Sequence, residues 1–154
     1  MPKTETGTFL VTHADEGSAV LRDVEDAQVH ALADNPGVDA GDVVEATLEP
    51  VPPAEVAWTV ADLGERREVT VRRVDERPAE DAFDALEGHD VGDLVAVEEG
   101  EETVHALAVP DGGVDAAVED VVTDEATRVR AARLGASRVR VRGADGVVSV
   151  RYLP

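Results

Sequence analysis

The chain contains no cysteine. That removes disulfides, thiolate zinc fingers, cysteine-held iron–sulfur clusters and thiol nucleophiles, and with them any sign of adaptation to an oxidising compartment. Aromatic side chains are almost as scarce, with one Trp, one Tyr and two Phe in 154 residues. Lysine occurs once, at Lys3, so every other basic residue is arginine. No run approaches the roughly 20 apolar residues of a membrane-spanning helix. Met1 to Thr6 has neither the basic nor the apolar stretch of a secretory leader. These absences lead to the expectation of a cytoplasmic protein with no membrane partner.

Motifs for catalysis are also missing. None of the serines, Ser18, Ser137 and Ser149, stands in a Gly-x-Ser-x-Gly turn, and there is no P-loop or Gly-x-Gly-x-x-Gly. The four histidines, His13, His30, His89 and His105, form no His-x-x-x-His pair. Carboxylate pairs are so common here that choosing a catalytic dyad would be arbitrary. The expectation is no catalytic residue, no metal and no cofactor, with an enzyme that lacks a recognisable motif left open.

What is abundant is acid. Asp and Glu number 34 against 14 Lys and Arg, for a net charge of −20. Such charge favours disorder, but 43% of the chain is hydrophobic, enough for a core. Val and Ala supply most of that fraction. Carboxylates with arginine in place of lysine fit a haloarchaeal, salt-in cytoplasm, where high net charge preserves solubility. The acidity therefore reads as habitat and not as a surface for a basic partner.

The first half reads as short strands punctuated by turns. Gly7–Thr12, Ser18–Arg22, Ala27–Leu32, Gly41–Leu48 and Val56–Val60 alternate in hydrophobicity, separated by Asp15-Glu16-Gly17, Asn35-Pro36-Gly37 and Pro50–Pro53. Residues 64–78 interleave Val69, Val71 and Val74 with arginines, as an edge strand or its flank would. Phe83 and Leu86 suggest a short docking helix within an acidic stretch. Beyond it, Val91–Val97 and Thr103–Val109 form a hairpin. Val114, Ala117, Val118, Val121 and Val122 fall at helical spacing. Thr123 is the expected N-cap of a second helix, which Gly135 ends. Arg138–Arg142 and Val147–Tyr152 form a closing hairpin. The expected fold is α+β and mainly β, a five-stranded barrel followed by a ββααββ module. Its expected divisions are 1–75, a linker or docking helix at 76–90, and 91–154.

The strand order of residues 6–63, with Gly7 opening the first strand, Val29-His30 in the third and Gly41-Asp42-Val43-Val44-Glu45 opening the fourth, resembles an S1-like OB-fold. That resemblance implies a nucleic-acid-binding barrel, with Phe9 and His30 as its ligand contacts. Gly7–Thr12 and Gly146–Pro154 also resemble an uncharacterised family of haloarchaeal proteins, which implies no particular activity.

Seven of the 14 basic residues lie in 126–154, opposed there only by Asp145. Strand alternation puts Arg138, Arg140 and Arg142 on one face and Val139 and Val141 on the other. Pairing across the hairpin adds Arg151 to the arginine face. Three partners compete for it: carboxylates of the chain itself (Asp115, Glu119, Asp120 or Glu98–Glu102), the phosphates of RNA or a ribonucleoprotein, and an acidic protein or second copy. At molar salt the screening length shrinks to about 3 Å, so a phosphate ligand must be held by direct guanidinium contacts. The leading expectation is a non-catalytic RNA-binding or ribonucleoprotein-associated protein that uses Arg138, Arg140, Arg142 and Arg151, with Phe9 and His30. The alternative is a protein–protein adaptor or homodimer.

Overall fold

The structure is a computed structural model that describes residues 4–53 and 56–154; the reading of Met1 to Thr6 lies partly outside them. Two compact units form. One runs to Val69 and includes Arg128–Arg133; the other comprises Thr70–Thr127 and Leu134–Pro154.

The first unit is a closed barrel of β1 (Glu5–Ala14), β2 (Ala19–Asp23), β3 (Val29–Leu32), β4 (Asp42–Pro50) and β5 (Trp58–Glu68) in the order β1-β2-β3-β5-β4. Antiparallel β1–β4 pairing closes it, and Leu32 pairs with Trp58 in a parallel contact between β3 and β5. This is an OB-like arrangement. Alternation sends Phe9, Val11, Leu21, Leu32, Val44, Ala46 and Leu48 into one buried cluster, with Trp58 and Val60 packed against it. Arg133 donates from Nε and NH2 to the Val24 carbonyl at 3.1 and 2.9 Å, and Arg67 donates to the Ala132 carbonyl at 2.9 Å. These bonds tie the helical segment 128–133 to this unit.

The fifth strand runs eight residues past the expected end at Val60. Gly64 lies within it at a close approach: a Cβ there would lie 3.2 Å from the Glu45 carbonyl oxygen. The β4–β5 register also shifts at Val44/Ala46, next to that approach. A bulged strand with glycine at the tight point continues where a regular one would clash.

The second unit contains β6 (Thr70–Arg73), α1 (Glu80–Ala85), β7 (Leu94–Glu99), β8 (Glu102–Ala108), α2 (Val114–Thr123), α3 (Glu125–Arg133, whose last six residues belong to the barrel unit), β9 (Arg138–Ala144) and β10 (Val147–Leu153). Its sheet has the order β6-β9-β10-β8-β7, so β6 and β7 are its edges. The division falls at Val69/Thr70 and not at residue 75, because β6 finds its hydrogen bonds on β9. Thr70 N–H donates to the Ser137 carbonyl at 3.0 Å and Val74 N–H to that of Val141 at 2.8 Å. The N-cap of α3 is Asp124, whose Oδ1 accepts from Ala126 N–H at 2.9 Å. Thr123 is not free to cap, since its hydroxyl already donates to the Glu119 carbonyl within α2, at 2.9 Å.

β9 and β10 join through Asp145 and Gly146, both at positive φ (48° and 79°), the conformation a two-residue hairpin turn needs. Val139, Val141, Val148, Val150 and Tyr152 are buried on one face of the sheet. Gly143 belongs to that face by register, and a Cβ on it would lie 2.6 and 2.7 Å from the side chains of Val118 and Val114 of α2. On the other face Ala82 and Leu86, at and just after α1, pack with Ala106 and Val147.

Two substitutions test this packing. Gly143→Ala is expected to destabilise the protein by about 1–3 kcal/mol through overpacking against α2, read as a lower denaturation midpoint. His30→Phe is expected to stabilise the barrel by about 1 kcal/mol. It keeps the ring contacts described below and removes a buried nitrogen with no partner. An unchanged midpoint for the first, or a lowered one for the second, would contradict the packing described.

Candidate functional site

The register of the second sheet aligns the basic side chains in rows. Arg72 of β6 lies opposite Arg140 of β9, and Arg140 opposite Arg151 of β10. The row then becomes apolar at Val104 of β8 and Val97 of β7. The next row holds Thr70, Arg138 and Leu153, and the one on the other side Arg142, Ser149 and Ala106. Arg72, Arg138, Arg140, Arg142 and Arg151 therefore share one face. Strand neighbours are about 5 Å apart, and alternate residues along a strand roughly 7 Å.

Carboxylates of the same unit take two of these guanidinium groups. Arg151 donates to Glu102 at 2.5 Å and Arg142 to Glu76 at 3.3 Å. Both arginines are half-buried, and Arg151 lies beside Asp81 and Ala82 of α1. Two neighbouring arginines are also engaged. Arg77 pairs with Asp145 and lies 4.2 Å over the Phe83 ring. Arg73, on the opposite face, holds Asp115 at 2.6 Å, and that hydrogen bond raises its pKa above the ordinary arginine value.

Arg72, Arg138 and Arg140 differ: none has an ion-pair or hydrogen-bond partner among the described residues. Arg72 and Arg138 are exposed and Arg140 is half-buried. Thr70 completes a two-by-two patch on β6 and β9. Of the three competing explanations, internal neutralisation accounts for Arg142 and Arg151 and stops short of this patch. Among the four arginines expected from the sequence, Arg138 and Arg140 are left available. Arg72 joins them, from a segment that reads as part of the barrel. Only the β6–β9 pairing, a contact between distant parts of the sequence, reveals it.

Phe9 and His30 lie in the barrel unit, and neither offers a surface. Phe9 is fully buried and His30 is 4% exposed. The His30 ring stands edge-on to Phe9 and Trp58, at 5.6 and 4.8 Å between centroids, and its Nδ1 has no hydrogen-bond partner. Alternation turns both side chains into the closed barrel, so these rings serve as core in this structure. No group of three or more His, Cys, Asp or Glu suited to a metal ion occurs among the described residues. No described helix is long and apolar enough to cross a membrane.

A chain with this barrel and this second sheet is matched by one family model. Residues 5–143 match the family of unknown function DUF5812, and the chain belongs to that family. No curated protein and no solved structure matches it.

Like charges on adjacent strands are destabilising, and exposed substitutions otherwise change stability by less than about 0.5 kcal/mol. Arg72→Gln, at an exposed position opposite Arg140, is therefore expected to leave the thermal midpoint unchanged or raise it slightly. A clear drop would mean that Arg72 has an internal partner.

Proposed function

We propose that this protein is a non-catalytic RNA-binding or ribonucleoprotein-associated accessory protein of a salt-in halophile's cytoplasm, and that Arg72, Arg138 and Arg140 hold RNA phosphates. One observation carries the reading. Three arginines adjacent by register lack a carboxylate partner among the described residues, in a chain with 34 Asp and Glu against 14 Lys and Arg. Internal pairing would be the easy outcome in such a chain, and it is the outcome for the neighbouring Arg142 and Arg151. Arginines that remain unpaired side by side are arranged for anions brought by a ligand. Contact at hydrogen-bond range also suits a salt-rich cytoplasm, where attraction over longer distances is screened.

A second reading, an adaptor or homodimer, is favoured by the open edges of the second sheet. Leu94, which opens β7, is 53% exposed, and Val91 in the turn before it is 64% exposed. An edge strand with exposed apolar residues is a template for pairing with another chain.

A native pull-down of the tagged protein at about 2–3 M KCl, where charges are screened beyond roughly 3 Å, separates the readings. RNA is expected in the wild-type eluate and is expected to be lost from Arg72→Glu/Arg138→Glu/Arg140→Glu. Equal RNA recovery from both would sink the arginine site. Recovery of one protein partner without RNA would favour the adaptor.

A further inference from the structure

Resting on the RNA reading above, we infer that the ligand of the Thr70–Arg72–Arg138–Arg140 patch is base-paired RNA, held by its phosphates with no reading of base sequence. The first argument is a complete account of the aromatic residues. Recognition of single-stranded RNA relies on bases splayed out and stacked on aromatic side chains or Arg guanidinium planes, and binding of single strands without sequence preference pairs a basic groove with aromatic platforms. The chain has four aromatic residues. Phe9 is fully buried, Tyr152 is 2% exposed on the opposite face of the sheet, and Trp58 packs against the barrel core. Phe83 already carries the Arg77 guanidinium over its ring. No aromatic ring is left to act as a platform on the arginine face.

The second argument concerns the groups that distinguish bases. Asn and Gln amides are the usual partners of adenine edges. This chain has one of each, Asn35 and Gln28, both in the barrel unit. The Asn35 amide is spent on the carbonyls of Asp15 and Val38, at 2.7 and 3.1 Å. The patch itself offers three guanidinium groups and one hydroxyl, donors suited to phosphate oxygens and to a ribose 2′-hydroxyl; the guanine edge that arginine also recognises lies in the deep, narrow major groove of A-form RNA, out of reach of side chains.

The third argument is rigidity. All four residues stand on hydrogen-bonded strands, and the β6–β9 ladder is closed at both ends by Thr70 to Ser137 and Val74 to Val141. The backbone under the array is fixed, so a flexible strand must pay an ordering cost to match it. A duplex presents its phosphates already fixed, and preorganisation on both sides favours it.

The test uses the intact chain and fluorescence anisotropy between about 1 and 3 M KCl. Three probes share one sequence: an RNA hairpin with a stem of about 16 base pairs, one strand of that stem alone, and the matching DNA duplex. The hairpin is expected to bind at least about tenfold more tightly than the single strand, with a log–log salt slope near −2.7 for three phosphate contacts. Arg72→Gln and Arg140→Gln are each expected to reduce that slope by about 0.9 with the thermal midpoint retained. Scrambling the stem sequence is expected to leave affinity unchanged.

Single-stranded RNA bound as tightly as the hairpin would overturn the duplex inference and leave the RNA reading standing. DNA bound as tightly as RNA would overturn the RNA preference. Hairpin binding unaffected by either substitution would overturn the site, and no binding of any RNA would overturn this inference and the proposed function together.

Discussion

The two-residue period of β9 is the constraint on which the second unit depends. Because alternate side chains leave a strand on opposite faces, Arg138–Ala144 commits Val139 and Val141 to the face that carries α2 and its arginines to the other. Both valines are fully buried, so a one-residue slip would exchange core for charge and is forbidden. The same rule fixes β6. Once Val71 lies beside Val139, Arg72 must lie beside Arg140. The arginine row follows from where the valines have to go.

Where the valines must go does not require arginines opposite them. Threonine, serine or glutamate would serve on a solvated face, and this chain uses glutamate freely elsewhere. Putting arginines side by side costs stability through like-charge contact. The chain relieves that cost at Arg142 with Glu76 and at Arg151 with Glu102, and leaves it at Arg72, Arg138 and Arg140. That like-charge contact left unrelieved is the observation on which the proposed function rests, and it links the packing of one strand to that proposal.

Much of the architecture was legible from local pattern. Glycine and proline punctuation with alternating hydrophobicity marked the five barrel strands, and the 3.6-residue spacing of valines marked α2. The face of the closing hairpin was legible as well. Arg142 pairs with Ser149 and Arg140 with Arg151, which puts Arg151 on the face expected of it. What escaped was non-local or competitive. Nothing in Thr70–Arg73 announces a parallel partner some 70 residues away, so β6 was read with the barrel and Arg72 went unnoticed. The length of β5 beyond Val60 escaped because local sequence does not show which backbone approaches Gly64. Thr123 and Asp124 are both good caps, and only the donation from Thr123 back into α2 decides between them. Phe9 and His30 had a sound strand assignment, but the face they occupy depends on how the barrel closes.

Arginine-specific chemical modification of the natively isolated protein, mapped by peptide mass spectrometry before and after nuclease treatment, tests the central claim most directly. The account predicts that Arg72, Arg138 and Arg140 are protected as isolated and become reactive once RNA is digested, while Arg142 and Arg151 do not change. Equal reactivity of all five before and after digestion would contradict it.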